Sequence, residues 1–278
     1  MIPRAICQNF SLKNVGTIVQ EQLAVILLGI IEGITEFLPI SSTGHLLIAE
    51  NWLGRRSELF NVAIQAGAIL AVVLIFRERV WQLLTGWRDP QNRDYLFKLA
   101  ASVAVTVVGG LSAKLAGLEL PETVAPVAWA LIVGGFAILA IEAYAGRREL
   151  RTDLTWAIAL WVGLSQILAA VFPGTSRSAA TIFAGMLAGM ARVPATEFSF
   201  FVGIPTMFAA TGYELLKLAK SGGLENEDWG ALSLGFIVST VVAFIVVKWL
   251  LQYIQTHRFT VFAWYRIVFG AALLLLNV

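Results

Sequence analysis

Charge is scarce in this sequence. Only 14% of its 278 residues are Asp, Glu, Lys or Arg, against about a quarter in soluble domains, so most of the chain cannot face water. Cysteine is nearly absent: Cys7 alone excludes an internal disulfide framework and a thiolate metal knot, and reads as an incidental thiol in a tail. The net charge of +2 comes from basic loops. No basic block or aromatic-interleaved basic patch accompanies it, which argues against nucleic acid as a partner. Short alternating runs of the kind a membrane β-barrel needs are missing too. The first apolar run contains glutamates and is followed by no A-x-A-like cleavage site, so the expectation is that it is retained and not removed as a signal peptide.

Apolar sequence fills the space. Hydrophobic residues make up 58% of the chain, in runs long enough to cross a ~30 Å hydrocarbon core as helices of roughly 20 residues. Eight runs are read as helices: Gln22 to Leu38, Phe60 to Phe76, Tyr95 to Gly117, Val124 to Ala145, Leu154 to Phe172, Thr196 to Ala219, Trp229 to Leu251 and Phe259 to Val278. An open strand edge cannot persist in lipid, so continuous apolar stretches favour helices. Two shorter runs, Ser41 to Leu53 and Ser178 to Ala191, each follow a proline (Pro39, Pro173) that must break the preceding helix. They read as re-entrant half-helices. The fold class is therefore an all-α polytopic membrane protein, a single integral membrane domain after an N-terminal tail over 1–21.

Superposing the two prolines reveals an internal repeat. Gly29, Glu32, Pro39 and Ser42 fall opposite Gly163, Gln166, Pro173 and Ser176 at identical spacing, and Glu58 with Phe60-Asn61 resembles Glu197 with Phe198-Ser199. The halves are 22–145 and 154–278. Helices broken at corresponding places in two halves are the pattern of inverted repeats that meet near mid-membrane. Loop charge agrees with inversion. Arg77, Arg79, Arg88 and Arg93, and then Arg147, Arg148 and Arg151, mark two connections as cytoplasmic. The loops holding Glu119 with Glu122, and Glu225 with Glu227 and Asp228, alternate with them on the other side. The first hairpin then enters from outside and the second from inside, with both termini outside.

The chemistry concentrates at the two breaks. Glu32 and Glu36 lie one helical turn apart on one face. Two carboxylates inside a bilayer call for a cation, a metal or protonation, since each costs at least ~2.5 to 3.5 kcal/mol at the centre; the plainer alternative is a pair snorkelling to water at a helix end. After the break, Ser41, Ser42 and Thr43 precede Gly44 and His45. Hydroxyls and free N–H groups at a helix start suit an anion, and capping accounts for one hydroxyl, not three. His45 is placed to take or give a proton, or serves as a structural donor. The second break supplies Ser176, Arg177, Ser178 and Thr181. Arg177 presents a fixed fork for phosphate oxygens, or neutralises Glu32 or Glu36. Brought tip to tip, the two turns would enclose a phosphate-sized anion. Arg266 and His257 read as structural, Arg266 snorkelling or pairing within the bundle.

Glu32-Gly-Ile-Thr-Glu36-Phe-Leu-Pro-Ile-Ser-Ser-Thr-Gly-His45 and Pro173-Gly-Thr-Ser-Arg-Ser-Ala-Ala-Thr181 resemble the two signatures of bacterial undecaprenyl-diphosphate phosphatases of the bacitracin-resistance type. The resemblance extends over nearly the full chain, through Glu197-Phe-Ser-Phe. It departs from the family at Ala179, where a glycine is usual, and in the longer tail before Gln22. It implies hydrolysis of undecaprenyl diphosphate to the monophosphate, recycling the lipid that carries cell-wall precursors. The location implied is a bacterial inner membrane with the site open to the extracytoplasmic side. The resemblance singles out Glu32, Glu36, Ser42, His45, Ser176, Arg177 and Thr181; with the residue reading above, the expected catalytic residues are Glu32, Glu36, Ser42, His45 and Arg177, and the expected substrate-binding residues are Ser41, Thr43, Ser176, Arg177, Ser178 and Thr181. A divalent cation, Mg2+ or Ca2+, would sit on Glu32 or Glu36, as hard oxygen ligands suit those ions. Two nucleophiles stay open: Ser42, deprotonated by Glu36 or His45, and a carboxylate-activated water. The partners are the polyprenyl diphosphate and the bilayer, with a homodimer among the assemblies the sequence admits. A secondary transporter is the rival reading, because inverted repeats and broken helices are also its construction.

Overall fold

The computed structural model describes residues 12–118 and 123–276, with side chains from Val19 onward. Every expected span is a helix. In chain order the elements are α1 (Leu12–Thr35), α2 (Ser42–Leu53), α3 (Glu58–Ile75), α4 (Arg77–Thr85), α5 (Pro90–Leu115), α6 (Val124–Ala145), α7 (Trp156–Val171), α8 (Arg177–Leu187), α9 (Arg192–Ser221), α10 (Trp229–Thr256) and α11 (Thr260–Leu276). Helices α3, α5, α6, α9 and α10 are long and apolar enough to cross a membrane, and α7 and α11 are shorter apolar helices. Their starts follow local capping chemistry. Ser57 Oγ accepts from Phe60 N, Thr155 Oγ1 from Ile158 N and Asp228 Oδ1 from Ala231 N, while Asp89 caps a helix whose first residue is Pro90.

Helix pairing repeats across the two halves. The first broken helix, α1, packs on α10, and the second, α7, packs on α5; α3 meets α9 and α6 meets α11. Corresponding glycines permit the first two contacts. A Cβ on Gly29 would stand 2.9 Å from Gly235 O, and one on Gly163 would stand 2.6 Å from Ser102 O, so each helix lies directly against a neighbouring backbone. The hairpin α1–α2 opens on the face where Ser57 Oγ donates to Glu227 Oε2 (2.9 Å) and Lys217 pairs with Glu58 (3.0 Å). The hairpin α7–α8 opens on the opposite face. There Arg151 N donates to Gly189 O (2.9 Å), Arg192 forks onto the buried Glu142, and Phe259 N donates to Glu142 Oε1 (2.9 Å).

Three expectations change. Helix α1 begins at Leu12, ten residues before Gln22, so part of the expected tail is helical; Cys7 and the loop residues Glu119 and Glu122 lie outside the described residues, as does Val278. The connection Arg77 to Arg93 is not a plain loop, since α4 lies within it. That helix buries Leu83 and exposes Trp81 and Leu84 beside its arginines, the make-up of a segment lying at the membrane surface. The third change is one of register. The two half-helices are capped by Ser41 and Ser176, so the turn after Pro173 is one residue longer than the turn after Pro39. Arg177 therefore corresponds to Ser42, not to Thr43, and His45 corresponds to Ala180.

Candidate active site

Both caps hold the same strained backbone. Ser41 has φ 75° and Ser176 φ 71°, and among the described residues they are the only non-glycine positions with positive φ. Such a conformation costs about 1–3 kcal/mol in a residue with a side chain. Each serine nevertheless caps its half-helix: Ser41 Oγ accepts from Gly44 N and Ser176 Oγ from Ala179 N, both at 3.3 Å. Strain kept at matching points of two halves aims the first residue of each half-helix inward.

Those two first residues converge on one carboxylate. Ser42 Oγ donates to Glu36 Oε2 at 2.6 Å, and Arg177 Nη2 donates to Glu36 Oε1 at 2.9 Å. Glu36 follows the end of α1 and stays one turn above Glu32, because its N–H still reaches Glu32 O (3.0 Å). Glu32 is fully buried, and no N–H or hydroxyl among the described residues donates to its carboxylate oxygens; its carboxyl lies beside that of Glu36. Arg177 Nη1 is likewise buried and unpaired. Gly203 on α9 makes room for the guanidinium, since a Cβ there would fall 2.5 Å from Nη1. The matching position of the other half shows what a structural residue looks like here: Gln166 is satisfied, its Nε2 donating to Thr106 Oγ1 at 2.6 Å. A buried acid without an acceptor's partner, beside a buried guanidinium with a free N–H, is an arrangement suited to a ligand that brings both a cation and an anion.

Most of the other expected residues surround this pair. Ser178 Oγ donates to Leu38 O (3.1 Å), tying the second half-helix to the first break. Thr181 Oγ1 donates back to Arg177 O (2.8 Å) and shares a short bond with Ser199 Oγ (2.5 Å). Ser176 Oγ also meets Ser178 Oγ (3.0 Å), and Thr43 is half-buried in the first turn of α2. His45 departs from the group. Its Nδ1 donates to Ser41 O and its Nε2 accepts from Tyr265 Oη in the neutral ring, each at 2.6 Å, and the ring stacks on Phe269. The imidazole thus faces α11, and Glu36, not His45, receives the hydrogen bond of Ser42.

Sequence reasoning read Arg266 as structural, snorkelling or pairing within the bundle; it pairs within the bundle, with backbone carbonyls. It is fully buried on α11, and its guanidinium donates to five carbonyls. Nε reaches Leu131 O, Nη1 reaches Pro39 O and Thr175 O, and Nη2 reaches Ala130 O and Gly174 O, all between 3.0 and 3.3 Å. All five donors of the fork are used, and both breaks are fastened to α6. Ser199, Gly203 and Tyr265 escaped notice, because each acts from a distant helix and carries no local signature. The Phe198-Ser199 match between the halves was the one available hint for Ser199.

The match to known proteins agrees with this geometry. The family model described as bacitracin resistance protein BacA matches residues 25–272. The chain belongs to the BacA family. Two relatives bear the name undecaprenyl-diphosphatase. The one from Rhizobium etli (strain CIAT 652) is 61% identical over 249 residues, covering 89% of this chain and 94% of the relative. The one from Xanthomonas oryzae pv. oryzae (strain PXO99A) is 58% identical over 254 residues, covering 91% and 96%. The BacA match spans both breaks and all eight apolar helices, so it covers the whole site just described.

Proposed function

We propose that this protein hydrolyses undecaprenyl diphosphate to undecaprenyl phosphate and inorganic phosphate inside the membrane. The observation that carries the reading is Glu36 held between Ser42 and Arg177, with the buried carboxyl of Glu32 one helical turn away. Ser42 Oγ attacks the terminal phosphorus while its proton passes to Glu36 Oε2, already 2.6 Å away. The bond from phosphorus to the bridging oxygen breaks and the lipid monophosphate leaves. Glu36 gives that proton to the departing monophosphate; water then attacks the phosphoserine, its proton passing to the ionised Glu36 and from there to the departing Ser42 Oγ as inorganic phosphate is released. Arg177 leaves its partner to fork onto the phosphoryl oxygens, where its fixed charge counters what accumulates in the transition state. The half-helix starts at Ser42 and Arg177 add N–H groups for the same oxygens.

A divalent cation fits Glu32. Its two buried, unpartnered oxygens are hard ligands of the kind Mg2+ and Ca2+ take, and no cluster of three His, Cys, Asp or Glu exists among the described residues, so substrate phosphate would complete the shell. When bound, it would neutralise diphosphate charge. Loop charge supports a place in the bacterial inner membrane with the arginine-rich face in the cytoplasm. The site is then reached from the extracytoplasmic face, on which the first hairpin opens.

The test is phosphate release from undecaprenyl diphosphate by protein purified in detergent, with and without chelator, beside folded Glu36→Gln and Arg177→Ala variants. Chelator-sensitive release that both variants lose supports the reading. No release from folded, metal-supplemented wild type overturns it and turns the assignment to lipid or ion transport.

A further inference from the structure

A cavity of about 980 Å3 opens sideways between α6 and α7 and is floored by α8. Its lining is almost wholly apolar, with Trp129 and Trp161 at the rim and Ala180 and Ala184 on the floor. It ends at Gly134 and Thr175, and Thr175 is the residue before the Ser176 cap. The cavity exists because the two halves differ. In the first half, the corresponding face of α2 is filled by His45, clustered with Tyr265 and Phe269 of α11. In the second half Ala180 stands where His45 would be, and nothing replaces the ring. The two faces of α8 thus have different work. Ser178 and Thr181 turn toward the polar site, Ala180 and Ala184 turn to the cavity, and the two faces meet at the half-helix start.

We infer that this lateral groove binds the first isoprenoid units of the substrate's lipid tail, so that the diphosphate lies over the start of α8 and the chain runs down its lipid-facing side. The inference rests on the phosphatase reading for its substrate. Three features select a prenyl chain over other occupants. The groove is continuous with the turn that carries Arg177. Its floor carries Ala180 and Ala184 between bulkier apolar walls that include Ile138, Leu164 and Phe183, which suits a branched hydrocarbon chain. Its rim is raised by two tryptophans, so a flat helix face of a second copy would bridge it and leave it unfilled.

Two measurements test it. Ala184→Phe fills the floor far from Glu36 and Arg177. KM for undecaprenyl diphosphate should rise at least about tenfold, equivalent to ~1.4 kcal/mol, while kcat and the KM for dimethylallyl diphosphate stay within about twofold. Independently, wild-type protein is labelled with a polyprenyl diphosphate carrying a photoreactive group in its first isoprene units. The label should fall on α6, α7 or α8 residues of the groove and be competed by unlabelled undecaprenyl diphosphate, not by phospholipid. Equal KM changes for both substrates, or label elsewhere, overturns the proposal. So does a variant whose only change is a smaller particle mass in detergent, which would assign the groove to a second copy of the chain. If wild type labels in the groove yet releases no phosphate, the tail site stands and the phosphatase reading falls.

Discussion

Glu32 and Glu36 are the same residue type one turn apart, yet their surroundings predict opposite effects on stability. Glu36 is half of a buried ion pair with Arg177. Neutralising it in Glu36→Gln strands the guanidinium, an uncompensated charge that costs about 3–5 kcal/mol, so the variant should unfold at lower temperature in detergent. Glu32 has no cationic partner within ion-pair distance and accepts from no N–H or hydroxyl among the described residues. Glu32→Gln removes a buried unpaired acid, and the midpoint should hold or rise. Both should lose activity, Glu36→Gln by roughly 10²–10⁴ in kcat as expected for a missing base. A Glu32→Gln protein that unfolds as early as Glu36→Gln would show that Glu32 is structural. For the nucleophile, mass spectrometry of acid-quenched wild type should find phosphate on the Ser42 peptide. Ser42→Ala retaining wild-type turnover would assign attack to water. Ser42, Glu36 and Arg177 were all legible from spacing and motif. The orientation of the His45 ring was not, because nothing in the local sequence indicates that it bonds to Tyr265, 220 residues away.

At the scale of elements, the two half-helices depend on a serine in a conformation that glycine tolerates and serine does not. Replacement by glycine relieves about 1–3 kcal/mol of backbone strain and weakens the cap by only a few tenths. Replacement by alanine keeps the strain and loses the cap, about 1 kcal/mol. Ser41→Gly and Ser176→Gly should therefore melt above Ser41→Ala and Ser176→Ala, read as thermal midpoints in one detergent; the reverse order would refute the strain. The prolines announced both half-helices, and their ends were close to those found. Aligning the prolines nevertheless put the repeat out of register by one, because the longer second turn is set by backbone geometry, not by the position of the proline. Helix α4 was missed for a related reason. A nine-residue amphipathic helix has too few apolar positions to stand out from a charged connection.

For the whole molecule, the hydrogen bonds at the two faces fix which loops lie together, and loop charge then orients the bundle. With Cys7 replaced by serine, a single cysteine at Glu227 should react with an impermeant maleimide in intact cells, and one at Arg148 only after lysis. Exchanged reactivities would invert the assignment and place the opening of the first hairpin in the cytoplasm. The membrane class, the apolar helices and the acids and hydroxyls at the two breaks follow from the sequence alone, because lipid imposes long apolar runs and makes every buried polar residue conspicuous. Contacts between distant helices follow only from the tertiary structure. Arg266 fastening both breaks, Gly203 making room for Arg177, and Ala180 vacating the space that His45 fills all depend on which backbones approach one another, and no local pattern records that approach.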